Sequence, residues 1–131
     1  DKNIIFDGAH NEQKMEVFIR AIRNIYPLRT FNFIIAFVST KNFKPMLKLI
    51  VPIAKSIIVT YFSLRTQDMF RESIEPEEIV RELLLMGFSQ ARIIHDPNEA
   101  LRELVGSPDK TDIIITGSFY LLSALTNYET Y

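Results

Sequence analysis

The sequence predicts an α/β fold, with a mostly parallel sheet of about five to six strands and helices on both faces. Two observations lead to this class. Short segments rich in β-branched and aromatic residues alternate with helical segments five times along the 131 residues. The strand segments are apolar almost throughout, which is typical of parallel strands covered on both faces. The length fits one domain, and we expect residues 1–131 to form it.

The first strand and the first helix are predicted near the N-terminus. Residues 3–6 form a short apolar run that ends at Asp7. Apolar side chains then recur every three or four positions from Met15 onward, which is the spacing of an amphipathic helix. Asn11 can cap this helix, because its side-chain oxygen can accept a hydrogen bond from an amide of the first turn. Pro27 ends the helix.

Two more strands flank the second predicted helix. Residues 31–38 (FNFIIAFV) contain a single polar side chain, which favours a buried strand. A helix is predicted over residues 43–54, where Pro45 is tolerable in the first turn. Residues 56–61 (SIIVTY) are mostly β-branched and form the third predicted strand. The polar segment 62–73 is predicted to be irregular.

The second half of the chain continues the alternation and completes a Rossmann-like order. Pro76 and its acidic neighbours open a helix that we expect to end at Gly87. The remaining predicted elements are a strand at residues 91–95, a helix at 96–106, a strand at 111–116 and a last helix from Phe119 to about Thr126.

Three loops follow predicted strands and carry small or polar residues: residues 7–11, residues 39–42 and the pair Gly117-Ser118. Ligands of open parallel sheets bind beyond the carboxyl ends of the strands, where these loops lie. Asp7 could accept hydrogen bonds from ribose hydroxyls, and Gly8 allows the backbone to approach a ligand closely.

His10 can change its protonation state near neutral pH, so it is a candidate for a chemical role. A structural interpretation of the same segment stays open, in which Asp7 and Asn11 close a turn and cap a helix. A second histidine, His95, stands beside Asp96, and a single pair of this kind is usually structural.

Composition and short motifs exclude several classes of function. The chain has no cysteine, so it has no disulfide framework, and this composition suits a cytoplasmic location. Because it also has only two histidines, we predict no metal site. Fifteen basic and sixteen acidic residues give a net charge of −1, which predicts no nucleic-acid partner. No apolar run reaches the ~20 residues of a membrane span, so no membrane partner is expected. The GxxxxGK(S/T) and GxGxxG patterns of self-sufficient nucleotide-binding domains are missing from the sequence.

Two motifs at opposite ends of the chain carry a resemblance to a known family. Residues 7–11 spell DGAHN after an apolar strand, and residues 115–122 spell ITGSFYLL. In order and spacing they resemble the C-terminal, glutamate-binding domain of the folylpolyglutamate synthase and dihydrofolate synthase group, within the Mur ligase superfamily. The resemblance covers nearly the whole chain.

The resemblance implies an enzyme that works only as part of a longer chain. Members of the group use ATP to phosphorylate a carboxylate, and the amino group of L-glutamate attacks the acyl phosphate. The acid would be a folate or a dihydropteroate, and ATP would act with Mg²⁺. The P-loop and the magnesium ligands are expected in an N-terminal ATPase domain, the partner of this domain. We therefore expect residues 1–131 to be an inactive fragment when isolated.

The resemblance also implies roles for four residues of the DGAHN motif. Asp7 would contact the ribose of ATP, and Gly8 and Asn11 would belong to the same nucleotide-binding loop. His10 would be catalytic and would face the phosphates or the glutamate.

Three further residues are candidates for binding anions. Lys41 would face the glutamate, since an ammonium suits a carboxylate. Ser118 would bind the glutamate from the start of the last helix, where a hydroxyl and backbone amides can hold an anion. Arg65 is a candidate contact for a phosphate or a carboxylate. The structural alternatives are a solvated lysine, a helix cap and a solvated arginine.

Some positions depart from the pattern of the group and indicate a divergent member. Glu12 stands where proline usually follows DGAHN, Thr40 and Asn42 stand where aspartates usually flank the lysine, and residues 64–66 (LRT) replace Pro-Arg-Ala. Two other hypotheses stay open: a Mur-type ligase for a cell-wall precursor, and a non-catalytic α/β module that binds a small anion or a protein. The spellings DGAHN and TGSFY favour the folate group.

Overall fold

The computed structural model describes residues 2–39 and 42–125. Strands and helices alternate in these ranges much as the sequence predicts. In chain order they are β1 (Ile4–Asp7), α1 (Glu12–Ile25), β2 (Phe31–Ile35), α2 (Lys44–Ile50), β3 (Ala54–Val59), β4 (Ser63–Arg65), β5 (Phe70–Glu72), α3 (Pro76–Leu85), β6 (Ala91–Ile93), α4 (Pro97–Gly106), β7 (Ile113–Thr116) and α5 (Phe119–Ala124).

Five of the strands form one parallel sheet in the order β1-β7-β2-β3-β6. β7 lies between the first two strands of the chain, because Ile113 is in register with Ile4 on one side and with Asn32 on the other. The predicted α/β class with a mostly parallel sheet is confirmed.

Helices cover both faces of the sheet. Side chains of β2 alternate between two cores, with Phe33 and Ile35 in one and Ile34 in the other, and all three are fully buried. The first core is completed by α1, α2 and α3, and the second by α4 and α5. Burial on both faces explains why the strand segments show no alternation of polar and apolar residues. No helix within residues 2–39 and 42–125 has the length and apolar character needed to cross a membrane.

The prediction that residues 62–73 are irregular is wrong. This segment folds back on itself as an antiparallel hairpin of β4 and β5. The hairpin is attached to the chain that leaves β2, because the Ser39 amide donates to the Glu72 carbonyl at 3.0 Å and Val38 forms a bridge with Ser73. The hairpin therefore stands beside the carboxyl end of the sheet.

Two boundaries in the middle of the chain differ from the prediction. β2 ends at Ile35 rather than at residue 38, because residues 36–38 leave the sheet while they remain buried. The second helix ends at Ile50 and is followed by a 3₁₀ turn over Val51–Ile53. Pro52 within this turn has no amide hydrogen to donate. Ala54, predicted to end the helix, already pairs as the first residue of β3.

The later elements are also shorter than predicted. β6 ends at Ile93 rather than at residue 95, and β7 begins at Ile113 rather than at residue 111. α5 ends at Ala124, and Thr126, the predicted end of the last helix, lies outside the described residues.

Candidate functional site at the carboxyl ends of β1 and β7

The two motif loops meet at one edge of the sheet. β1, β7 and β2 are consecutive strands, and Asp7, Thr116 and Ile35 are in register at their carboxyl ends. The loops that follow β1 and β7 therefore emerge side by side. This is the position at which ligands of open parallel sheets bind.

Asp7 shapes the loop after β1. Its Oδ2 accepts a hydrogen bond from the Ala9 amide at 2.9 Å, which closes a tight turn. Its Oδ1 has no partner within the described parts of the chain, so it can still accept a hydrogen bond from a ligand. The turn and the binding role are compatible.

His10 is held between the backbone and an aromatic ring. Its Nδ1 lies 3.1 Å from the Gly8 carbonyl oxygen, and a hydrogen bond between them requires the proton on Nδ1. In that tautomer Nε2 is an acceptor, and no described residue pairs with it. The imidazole also lies 5.7 Å from the Phe119 ring, centroid to centroid. The ring is therefore oriented with one nitrogen available.

Asn11 and Ser118 both cap helices, as the structural interpretation predicts. Asn11 Oδ1 accepts from the Lys14 amide at 2.8 Å at the start of α1. Ser118 is almost fully buried, and its Oγ accepts from the Tyr120 amide at 3.0 Å at the start of α5. A cap uses one acceptor position of each oxygen, so neither residue is excluded from binding a ligand.

Gly117 sets the direction of the second loop. Its φ of +116° lies in a region that side chains rarely tolerate, and an added Cβ would contact the carbonyl oxygen of Ala36. Only glycine fits between β7 and the chain leaving β2. The close approach brings Ser118 and Phe119 beside the DGAHN loop.

Phe119 separates two cavities. The first, called here the Asp7 cavity, has a volume of about 560 Å³ and lies between β1, α1 and Phe119. The second, called here the His10 cavity, has a volume of about 480 Å³ and lies between the DGAHN loop, α5 and the β4-β5 hairpin. The Asp7 cavity is lined by Asp7, Gly8, Lys14, Val17, Phe18 and Phe119, among others. The His10 cavity is lined by His10, Leu64, Arg71, Ser118, Phe119 and Tyr120, among others.

The structure brings most of the predicted site residues together. Asp7 and Gly8 line the first cavity, while His10 and Ser118 line the second. Asn11 caps α1 beside them without lining either cavity.

Lys41 lies outside the described residues. Arg65 lines neither cavity; its guanidinium carbon lies 4.6 Å above the centre of the Phe70 ring. Two cations that the sequence did not single out do line the cavities, Lys14 in the first and Arg71 in the second. Lys14 could have been found from its spacing from Asp7 across the start of α1. Arg71 could not, because only the register of the hairpin reveals its position.

Other polar residues have structural roles. Asp96 caps α4 by accepting from the Asn98 amide at 3.0 Å, which is the structural role expected for the His95-Asp96 pair. Within residues 2–39 and 42–125, no three histidine, aspartate or glutamate side chains are grouped so that they could hold a metal ion.

The fold and the two cavities define a class of protein: an open parallel α/β domain with cavities beyond the carboxyl ends of its strands, where ligands of such sheets bind. The chain belongs to the family of C-terminal domains of dihydrofolate synthetase, whose model matches residues 1–128. This membership confirms the resemblance drawn from the DGAHN and TGSFY motifs.

Individual relatives agree with this family. The chain is 27% identical over 125 residues to a dihydrofolate synthetase of Saccharomyces cerevisiae, covering 93% of the chain and 29% of the relative. A bifunctional folylpolyglutamate synthase/dihydrofolate synthase of Yersinia pestis, complexed with AMPPNP and Mn, shares the fold with a TM-score of 0.75 and 16% sequence identity. The match covers 98% of this chain and 28% of the Yersinia chain. A bifunctional synthase with Mn, AMPPNP and L-glutamate bound gives a TM-score of 0.73 and 14% identity, over 100% and 30% of the two chains. The chain thus spans less than a third of the length of each of these relatives.

Proposed function

We propose that this chain is the C-terminal domain of an ATP-dependent ligase that joins L-glutamate to a folate or a dihydropteroate. The observation that carries the proposal is the meeting of the two motif loops around Phe119, with a cavity on each side. Membership in the dihydrofolate synthetase C-terminal family supports it. A cytoplasmic location and an N-terminal ATPase domain as partner are parts of the same proposal.

The Asp7 cavity is the proposed half-site for ATP. Its wall combines the apolar side chains of Val17, Phe18 and Phe119, which suit a base, with the free carboxylate oxygen of Asp7, which suits ribose hydroxyls. Lys14 adds a positive charge for a phosphate. Gly8 lets the backbone approach the ligand, and Asn11 fixes the start of α1 at the same loop.

The His10 cavity is the proposed half-site for glutamate. In the proposed reaction, the γ-phosphoryl group of ATP is transferred to the carboxylate of the acid. The amine of glutamate then attacks the acyl carbon, loses a proton, and displaces orthophosphate as the amide forms. The free Nε2 of His10 is proposed to accept that proton, and Ser118 and Lys41 are proposed to position the glutamate.

Magnesium does not fit the described residues of this domain. They offer no group of carboxylates or histidines that could hold the ion. We therefore propose that its ligands belong to the N-terminal domain. Bound there, the ion would neutralise charge on the phosphates.

The test compares this chain with its full-length parent in an assay of ATP-dependent phosphate release with glutamate and either dihydropteroate or a reduced folate. We expect activity in the parent alone, and only when both co-substrates are present. His10→Ala in the parent should lower kcat by about 100-fold or more, the usual scale for loss of an acid–base group. Asp7→Ala should raise the KM for ATP by about 10-fold, since it removes a charged acceptor.

His95→Ala is the matched control, because His95 is exposed and lines neither cavity. Normal ligation by both the His10 and the Asp7 variants would contradict the site. Phosphate release that is independent of glutamate would contradict the function. Ligation to a cell-wall precursor in preference to either pterin acid would select the other ligase hypothesis.

A further inference from the structure

The register of the β4-β5 hairpin determines which arginine faces the proposed glutamate site. Leu64 and Arg71 are cross-strand partners, so their side chains lie on the same face of the hairpin. Both line the His10 cavity. Arg65 is paired with Phe70 one position along, which places it on the opposite face, against the Phe70 ring.

The backbone around Arg71 is fixed. The next residue, Glu72, accepts a hydrogen bond from the Ser39 amide at 3.0 Å, and its side chain accepts from the Tyr61 hydroxyl at 2.8 Å. Ser73 accepts from the Phe62 amide through its Oγ at 2.9 Å. β5 is therefore joined both to the chain leaving β2 and to the start of the hairpin. A side chain on such a strand is held in place better than one on a free loop.

The charge of Arg71 is not neutralised within the cavity. Among the described residues, the only hydrogen bond of its side chain runs from Nη1 to the carbonyl of its neighbour Phe70, at 3.0 Å. None of the described residues that line the His10 cavity carries a carboxylate. His10 and Ser118 provide further polar atoms on the facing wall. A guanidinium in this position can form two parallel hydrogen bonds to a carboxylate.

We propose that Arg71 binds one of the two carboxylates of the incoming glutamate. The assignment rests on the proposed function, in which the nucleotide occupies the Asp7 cavity and the amino acid occupies the His10 cavity. It makes Arg71, and not Arg65, the arginine of the hairpin that selects the amino acid.

The test measures initial rates of the full-length parent with varied glutamate and varied ATP. Arg71→Ala should raise the KM for glutamate by about 10- to 100-fold, the range for loss of a charge-assisted hydrogen bond, and leave the KM for ATP within about twofold. Arg71→Lys should recover part of the lost affinity for glutamate, because lysine restores the positive charge but not the planar guanidinium that forms two parallel hydrogen bonds. Arg65→Ala and Arg102→Ala, an exposed arginine on α4, should resemble the parent.

Substrate analogues provide a readout that a merely structural role would not change. The parent should prefer glutamate to both of its monoamides, glutamine and isoglutamine. Arg71→Ala should lose the preference against the monoamide whose missing carboxylate it binds. Three outcomes would each overturn the assignment. Arg71→Ala could keep the parent's preference against both monoamides, or it could raise the KM for ATP instead of the KM for glutamate. The third is a raised KM for glutamate in Arg65→Ala alone.

Failure of the proposed function is distinguishable from failure of this assignment. If the parent shows no glutamate-dependent turnover, the proposed function fails. Arg71 is then tested by titrating L-glutamate into the full-length parent and its Arg71→Ala variant while recording the NMR signals of the His10 ring. Glutamate-dependent shifts that disappear in the variant support the assignment, and shifts that are absent from the parent or equal in both overturn it.

Discussion

The imidazole of His10 packs against the phenyl ring of Phe119, with 5.7 Å between their centroids and 47° between their planes. Phe119 is 60% exposed, yet it lines both the Asp7 cavity and the His10 cavity. The Phe119 ring therefore forms a wall between the two proposed half-sites and is not part of the core.

Removing this wall should affect binding more than folding. In the full-length parent, Phe119→Ala should raise the KM values for both ATP and glutamate by about 5-fold, equivalent to roughly 1 kcal/mol of lost contacts at each half-site. The free energy of unfolding should change by less than about 1 kcal/mol, because the side chain is largely exposed. Leu85→Ala, at a similarly exposed apolar position on α3, is the control and should leave both KM values unchanged. Unchanged KM values in Phe119→Ala would show that the ring does not contact either ligand.

Gly8 should be coupled to Phe119. A Cβ at Gly8 would lie 2.8 Å from Cζ of Phe119, so Gly8→Ala must displace the ring. We expect a rise in the KM for ATP of about 5-fold, the equivalent of the ~1 kcal/mol typical of mild overpacking. In the Phe119→Ala background the same substitution should have almost no further effect, and a double-mutant cycle measures this. Gly106→Ala is the control, since an added Cβ there meets nothing within 4 Å. Additive effects of the two substitutions would disprove the coupling.

Gly117 should be required for stability rather than for binding alone. Gly117→Ala combines a positive φ with a contact against the Ala36 carbonyl, so it should lower the free energy of unfolding by about 2 kcal/mol or more. Gly87→Ala has a similar φ of +84° with open space around the Cβ, and should cost only about 1 kcal/mol. Urea unfolding of both variants separates two parts of the loss in the free energy of unfolding: the part due to the steric contact and the part due to the backbone conformation. Equal losses would mean that the loop after β7 can relax.

Asp109 should make stability depend on acid pH. Hydrogen bonds from Thr111, followed by those from Lys55 and Asn32, hold the pKa of the Asp109 carboxyl well below its usual range. A lowered folded-state pKa stabilises the fold above the unfolded pKa of about 3.9, and the contribution is lost as the pH falls through the folded value.

Asp109→Asn should therefore lower the free energy of unfolding at pH 7 by on the order of 1 kcal/mol, a modest value because solvent screens the pair with Lys55. The difference in the free energy of unfolding between the parent protein and Asp109→Asn should shrink as the pH falls below about 4. Asp68→Asn, at an exposed position of the hairpin turn, is the control and should show no such pH dependence. A difference that is constant from pH 7 to pH 2 would contradict the linkage.

The fold was predictable where local patterns agree with tertiary structure. The apolar strand at Phe31–Ile35 and the periodic helix at Glu12–Ile25 need no knowledge of their neighbours to be recognised. Residues 36–38 show the limit of that reasoning, since they are buried and apolar but lie outside the parallel sheet, and Val38 instead forms a bridge with Ser73 after the hairpin. The β4-β5 hairpin was missed because its strands are three residues long and largely polar, and only their pairing identifies them.

The site was predictable as far as its residues belong to contiguous motifs. Asp7, Gly8, His10 and Ser118 follow from DGAHN and TGSFY, and they do line the two cavities. Arg71 has no such motif around it. Its position depends on which residue it faces across the hairpin, and a shift of one position in that register would have presented Arg65 instead.

The central place of β7 has a consequence for how the protein is made. During synthesis β1 emerges before the other strands of this domain, but its partner in the sheet is residues 113–116, so at about 5 to 20 residues per second it waits on the order of 5 to 20 s for a neighbour. Closing a loop of this length is slow compared with local helix formation. Until β7 arrives, the facing edges of β1 and β2 stay open to mispairing with other chains. The ribosome must therefore deliver nearly the whole domain before either cavity can exist.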